Sequence, residues 1–204
     1  IVYNISAGVR LVGPLGVAAF GAALGEVVRR HEALRTGFRE GAGGRPVQVI
    51  TPWSSPGLPV IDLSVLSGEP GGVRETAVRR LAGEEAGRPF DLALGRPLRA
   101  ALLRQSGLEH VLLLAVPHIA ADGWSVGVLV RELAALYAAF RAGRPSPLPE
   151  LPIQYADFAV WQRAWLSGAT LEAQTAYWRQ ALAGVPMLEL PTDRPRPAVR
   201  SPRG

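Results

Sequence analysis

Residues 115–125 read AVPHIAADGWS, which puts His118 four residues ahead of Asp122, with Gly123 next. An imidazole changes protonation near neutral pH and can orient or remove a proton from an attacking group. The run HVLLLAV before it is apolar at nearly every position, as a strand covered on both faces would be. The residues after Gly123 show helical spacing. His118 therefore falls where a strand ends and a loop begins, a place where a rigid scaffold can present a side chain to a cleft. Ala120 and Ala121 keep the loop thin, and Gly123 is expected to take a backbone turn closed to other residues. The helix that follows offers unpaired N–H groups suited to an oxyanion or a polarised carbonyl. Asp122 is expected to turn back and hold the loop, its carboxylate paired with the planar guanidinium of Arg35 in RHEALRTGF. An aspartate before Gly and a helix equally has the pattern of an N-cap.

Other candidates have structural readings. His31 closes a helix, where a cation is favoured, and His110 opens a strand after a turn. Trp161 and Trp165 are at helical spacing and are expected in a core. No base is placed by sequence for Ser125 as a nucleophile. No metal site and no bound cofactor are expected. The absence of cysteine rules out disulfides, Cys-ligated zinc and a cysteine nucleophile.

The elements that must position His118 follow from periodicity. VYNISAGVRLVG alternates as a strand and stops at Gly13-Pro14. Val17, Phe20, Leu24, Val27 and Val28 recur as on a helix closing at Arg29-Arg30-His31. LRTGF and PVQVI predict two short strands around EGAGGR, and a helix is predicted from Val73 to Ala86 after SGEPGG. LRAALLRQ and HVLLLAV form a hairpin about SGLE, while RPFDLALGRP is too rich in turn formers to be regular. Val126, Leu129, Val130, Leu133, Tyr137 and Phe140 mark the helix after the Asp-Gly turn. Two further helices are predicted, one with Phe158, Trp161 and Trp165 and one over 171–183. The fold class is α/β in the loose sense, with a mixed β-sheet flanked by helices.

Composition narrows the function. The 204 residues carry 22 basic and 17 acidic side chains for a net charge of +5. Every basic residue among the Lys/Arg set is arginine, spread along the chain without interleaved aromatics. That argues against nucleic acid as a partner. No uninterrupted apolar run reaches the length of a membrane span and no secretory signal is visible, so a cytoplasmic protein without a membrane partner is expected.

Taken in order, YNISAGVRLVGPLGVAAFGAAL, RHEALRTGF, RPFDLALGRPLRAALL, PHIAADGWS, LPIQYADFAVWQ and LPTDRPRPAVRSPRG resemble the N-terminal half of condensation domains of nonribosomal peptide synthetases. The family signature is His-His-x-x-x-Asp-Gly; His118, Asp122 and Gly123 fall on its second histidine, aspartate and glycine. The resemblance implies a chloramphenicol-acetyltransferase-like lobe over 1–190, with 191–204 beginning the linker to a C-terminal lobe. It also implies amide formation, in which the amine of a carrier-bound aminoacyl group attacks an upstream acyl or peptidyl thioester. Both substrates would ride on the phosphopantetheine arms of upstream and downstream carrier proteins. His118 would orient or deprotonate the amine, the Gly123 N–H would assist the oxyanion, and Asp122 with Arg35 would be structural. DGWS is closer to condensation than to epimerisation relatives. Pro117 stands in place of the first histidine and restrains the backbone entering the loop. The isolated lobe, lacking its companion lobe, is expected to be inactive. The alternatives are a degenerate module that binds carrier proteins or a tailoring enzyme, and an acyltransferase acting on an alcohol.

Overall fold

A computed structural model describes residues 3–66, 72–188, 190–191 and 193–195. Most of the expected linker over 191–204 and part of SGEPGG lie outside the described residues. The chain divides into two compact units, 1–154 and 155–204.

The first unit is built on a four-stranded sheet in the order β1 (Asn4–Val12), β6 (Glu109–Pro117), β5 (Arg99–Arg104) and β4 (Val60–Asp62). β6 runs antiparallel to both neighbours, Asn4 lying opposite Pro117 and Arg99 opposite Ala115, and β4 joins β5 in parallel. The sheet is thus mixed, as expected. β4 was not legible in the sequence: three residues beside Pro59 are too few to show a period.

Both faces of β6 are covered, which explains its unbroken apolar run. Leu112 packs with Phe20 of helix α1 (Val17–Arg30) and Leu102, and Val116 joins α1 and helix α3 (Gly123–Arg141) through Ala23, Val27 and Leu136. On the other face Leu113, Leu63 and Leu103 meet Ala77, Val78 and Leu81 of helix α2 (Val73–Gly87). A separate hairpin pairs β2 (Thr36–Glu40) with β3 (Pro46–Ile50). Gly95, in the left-handed region at φ 66°, packs against Gly37 and Thr51 so closely that an added Cβ would lie 2.5 Å from Thr51 Cγ2. That contact seats the hairpin beneath the segment before β5.

Among the described residues α3 is the one helix long and apolar enough to cross a bilayer by length and composition, with a mean hydropathy of 1.2. Arg131 and Glu132 interrupt its apolar run, and its inner face packs on α1.

The second unit holds helices α4 (Tyr155–Trp165) and α5 (Gly168–Ala181). Trp161 and Trp165 stack with centroids 5.5 Å apart at 8°, yet they are 55% and 51% exposed. The core expected for them is therefore not formed within this unit, because two helices without a sheet present too little apolar surface to enclose so many aromatic rings.

His110 is buried in β6 between Leu11 and Arg104, and its Nδ1 has no hydrogen-bond partner among the described residues. Burial, and then the Arg104 charge, hold its pKa below the ordinary value. Below about pH 6.5 the unfolded chain takes up a proton that folded His110 refuses, so stability is level above that pH and falls below it. Urea midpoints between about pH 5 and 8 should show this decline, and His110→Gln should flatten it.

Candidate functional site

β6 ends at buried Pro117, and the chain turns through His118, Ile119 and Ala120 into α3. Pro117 has no N–H to give, and it sits beyond the last residue paired with β5, so the ladder loses nothing. The His118 N–H donates to the Tyr3 carbonyl at 2.7 Å, which extends the β1 pairing by one bond and fixes where the histidine leaves the sheet. The Asn4 amide holds that end of β1 in turn, donating to the Ala86 and Arg88 carbonyls at 3.1 and 2.9 Å. His118 itself is exposed, while Ala121 behind it is buried against the α1–α3 core.

Asp122 is the N-cap of α3. Its Oδ1 accepts from the Ser125 N–H at 2.8 Å and the Ser125 hydroxyl at 2.6 Å. Those two bonds, the hydroxyl's being the larger, hold its carboxyl below the usual range, and the nearby His118 adds the smallest contribution. With Asp122 occupied by Ser125, the Gly123 and Trp124 N–H groups at the first turn have no partner among the described residues. Gly123 is not at positive φ, so the turn expected to require glycine there is absent. A Cβ on Gly123 would also meet nothing within 4 Å. Neither the backbone nor packing asks for glycine at this position.

Asp122 and Arg35 do not meet. Arg35, at the end of a 3-10 turn over Glu32–Arg35, pairs with Glu32 Oε1 at 3.0 Å and donates to the Thr51 carbonyl at 2.8 Å. Its Nε is buried without a hydrogen-bond partner among the described residues. The local cap wins over the long-range pair for a geometric reason: an aspartate at an N-cap reaches the amide three residues on without ordering any distant segment. The reading of the sequence also missed Arg30, Glu132 and His31, which meet between α1 and α3. Glu132 Oε2 lies 3.1 Å from Arg30 Nε and 2.9 Å from His31 Nε2. The available signal was one carboxylate, Glu132, among the apolar positions Leu129, Leu133 and Leu136.

A groove of about 430 Å³ follows the same face of the sheet, lined by Leu112 and Leu114 of β6 and by Val130, Leu133 and Tyr137 of α3. An imidazole at the mouth of a helix N-terminus with free N–H groups is equipped to handle a proton beside a carbonyl whose oxygen gains charge.

The sequence profile of the condensation domain matches residues 1–204. The chain belongs to the condensation-domain family. It is 50% identical over 204 residues to chondramide synthase cmdD of Chondromyces crocatus, covering 100% of this chain and 5% of that protein. It is 45% identical over 204 residues to phosphinothricin tripeptide synthetase PhsC of Streptomyces viridochromogenes, covering all of this chain and 18% of that one. Among solved structures, the X-domain from teicoplanin biosynthesis shares 37% identity at a TM-score of 0.80 over 97% of this chain and 42% of its own. The starter condensation domain of rhizomide synthetase RzmA, at 24% identity and a TM-score of 0.78, shares the fold. The chain thus spans less than half of each of these solved structures and a small part of the synthetases.

Two outcomes follow from the site's geometry. Gly123→Ala should leave the thermal midpoint unchanged or slightly raised, since alanine is the better helix former, while any reaction that uses the open N-terminus slows. Asp122→Ala should lower the midpoint, Asp122→Asn should largely preserve it, and the Asp122→Ala and Arg35→Ala effects should add in a double-mutant cycle. Coupling between those two positions would overturn the capping assignment.

Proposed function

We propose that residues 1–190 form the His118-bearing lobe of an amide-forming condensation domain, with 191–204 leading toward a second lobe. The observation that carries this reading is the exposed His118 at the end of β6, followed by the Gly123 N–H, which has no partner among the described residues. In the reaction, the amine of a carrier-bound aminoacyl thioester attacks the carbonyl carbon of an upstream acyl or peptidyl thioester. The C–N bond forms and the C–S bond breaks. His118 takes the proton from the attacking amine and returns it to the departing thiolate of the donor's phosphopantetheine arm. The Gly123 N–H faces the oxygen that is negative in the tetrahedral intermediate. A positioned base contributes roughly 10²–10⁴-fold, and holding two tethered substrates together contributes at least as much. Asp122 keeps the first turn of α3 wound, so its role is structural. Without a second lobe to enclose the substrates and receive the carrier proteins, the isolated chain does not form product.

A second reading has its own support. Pro117 occupies the place of the first signature histidine, and the 38%-identical X-domain from teicoplanin biosynthesis is described in complex with OxyB. On that reading the chain is part of a non-catalytic docking module for a tailoring enzyme or carrier proteins.

The two readings separate in the complete domain supplied with loaded donor and acceptor carrier proteins. His118→Ala should abolish product without altering the circular dichroism spectrum, and full product from this variant would overturn the catalytic reading. Product appearing only after Pro117→His would favour the docking reading.

A further inference from the structure

Helix α3 is tied to α1 at two points. Near its C-terminal half the Tyr137 hydroxyl accepts from the Gly16 N–H at 3.0 Å, and its ring meets Phe20 edge-on at 5.6 Å. Nearer its start Glu132 receives a fork from Arg30, Nε to Oε2 at 3.1 Å and Nη2 to Oε1 at 3.3 Å, with His31 Nε2 a further 2.9 Å from Oε2. Arg30 is 3% exposed and anchored again by donating to the Pro149 carbonyl at 2.8 Å, while its own carbonyl accepts from the Gln154 amide at 2.8 Å. Between these ties the α1–α3 contact is apolar, through Val27, Leu136 and Leu133. Apolar packing is non-directional. A bidentate charged fork fixes direction as well as distance.

Gly123 lies nine residues before Glu132 on the same helix, about 13 Å along a rod that moves as one body. Resting on the functional reading above, we infer that Glu132, held by Arg30 and His31, is a positioning residue that sets the axial placement of α3 and so of the Gly123 N–H relative to His118. His118 hangs from β6 and Gly123 from α3. The two must keep their spacing through the reaction, and the Glu132 fork is the directional contact between α3 and α1 closest to the site. A half-buried carboxylate shared by a guanidinium and an imidazole on a helix interface is a poor source of stability compared with an apolar replacement. A positional role accounts for its placement.

The test uses the complete condensation domain with loaded donor and acceptor carriers. Glu132→Asp keeps the charge but shortens the reach, and His31→Gln removes one arm while leaving the Arg30 fork. Glu132→Asp should lower kcat about 10–100-fold, as an ångström-scale misplacement does, with KM for both loaded carriers within about twofold. His31→Gln should lower kcat in the same sense by less. In combination with Gly123→Ala, the Glu132→Asp loss should be smaller than the product of the two separate losses, because both act on one N–H. Rates are normalised to the folded fraction from melting curves. Unchanged kcat, a loss explained by the folded fraction, or full multiplicativity with Gly123→Ala would each overturn the positioning role. If His118→Ala remains active, the functional reading has failed instead. If His118→Ala is inactive while both clamp variants turn over normally, only the inference on Glu132 has.

Discussion

Strand β6 is the constraint on which this structure depends. It is hydrogen-bonded along both edges and covered on both faces, by α1 and α3 on one side and α2 on the other. Because side chains alternate along a strand, a slip of one residue would exchange Leu112 and Val116 with Leu113 across the sheet and empty both cores at once. Register is therefore held by two apolar layers together. His118 inherits that rigidity because it is the residue immediately after the strand, and the bond from its N–H to the Tyr3 carbonyl carries the pairing past buried Pro117.

On the proposed function the chemistry would lie at the junction of two differently held elements. His118 is placed by sheet pairing, whereas the Gly123 and Trp124 N–H groups, without partners among the described residues, belong to α3, which packs on α1. Asp122 serves this junction locally. Its carboxylate satisfies the Ser125 amide, so the helix has a defined start, and the N–H groups of the two residues before Ser125 have no partner among the described residues. On the proposed function, a centre split between strand and helix needs both to be rigid relative to each other, and the polar contacts linking α1 and α3 would then act on the reaction without touching substrate.

Much of this was readable from the residues alone. The unbroken HVLLLAV run announced a doubly covered strand, the 3.6-residue recurrence from Val17 to Val28 announced α1, and the Asp-Gly step announced the start of α3. His118 was found from its position between a strand and a helix. Other features were not readable. β4 is too short to carry a period. The left-handed Gly95 and its contact with Gly37 depend on two segments meeting. Arg35 was assigned to Asp122 because a buried carboxylate wants a guanidinium, but Glu32, three residues away, reached it first. The aromatic stripe on α4 has the spacing of a core face, yet spacing states only that the rings share a side, not that anything covers them.

By itself the sequence determined most of the segments that are strand or helix, β4 excepted, where the histidine sits in that order, and which family the motifs belong to. These are properties of neighbouring residues: periodicity, turn chemistry and short-range spacing are written along the chain. The tertiary structure alone decided which charged groups pair, that Gly123 is an open helix start and not a forced turn, and that Glu132 is shared between Arg30 and His31. Such outcomes turn on competition between partners far apart in sequence, and the nearest well-oriented group wins in a way that no local pattern records.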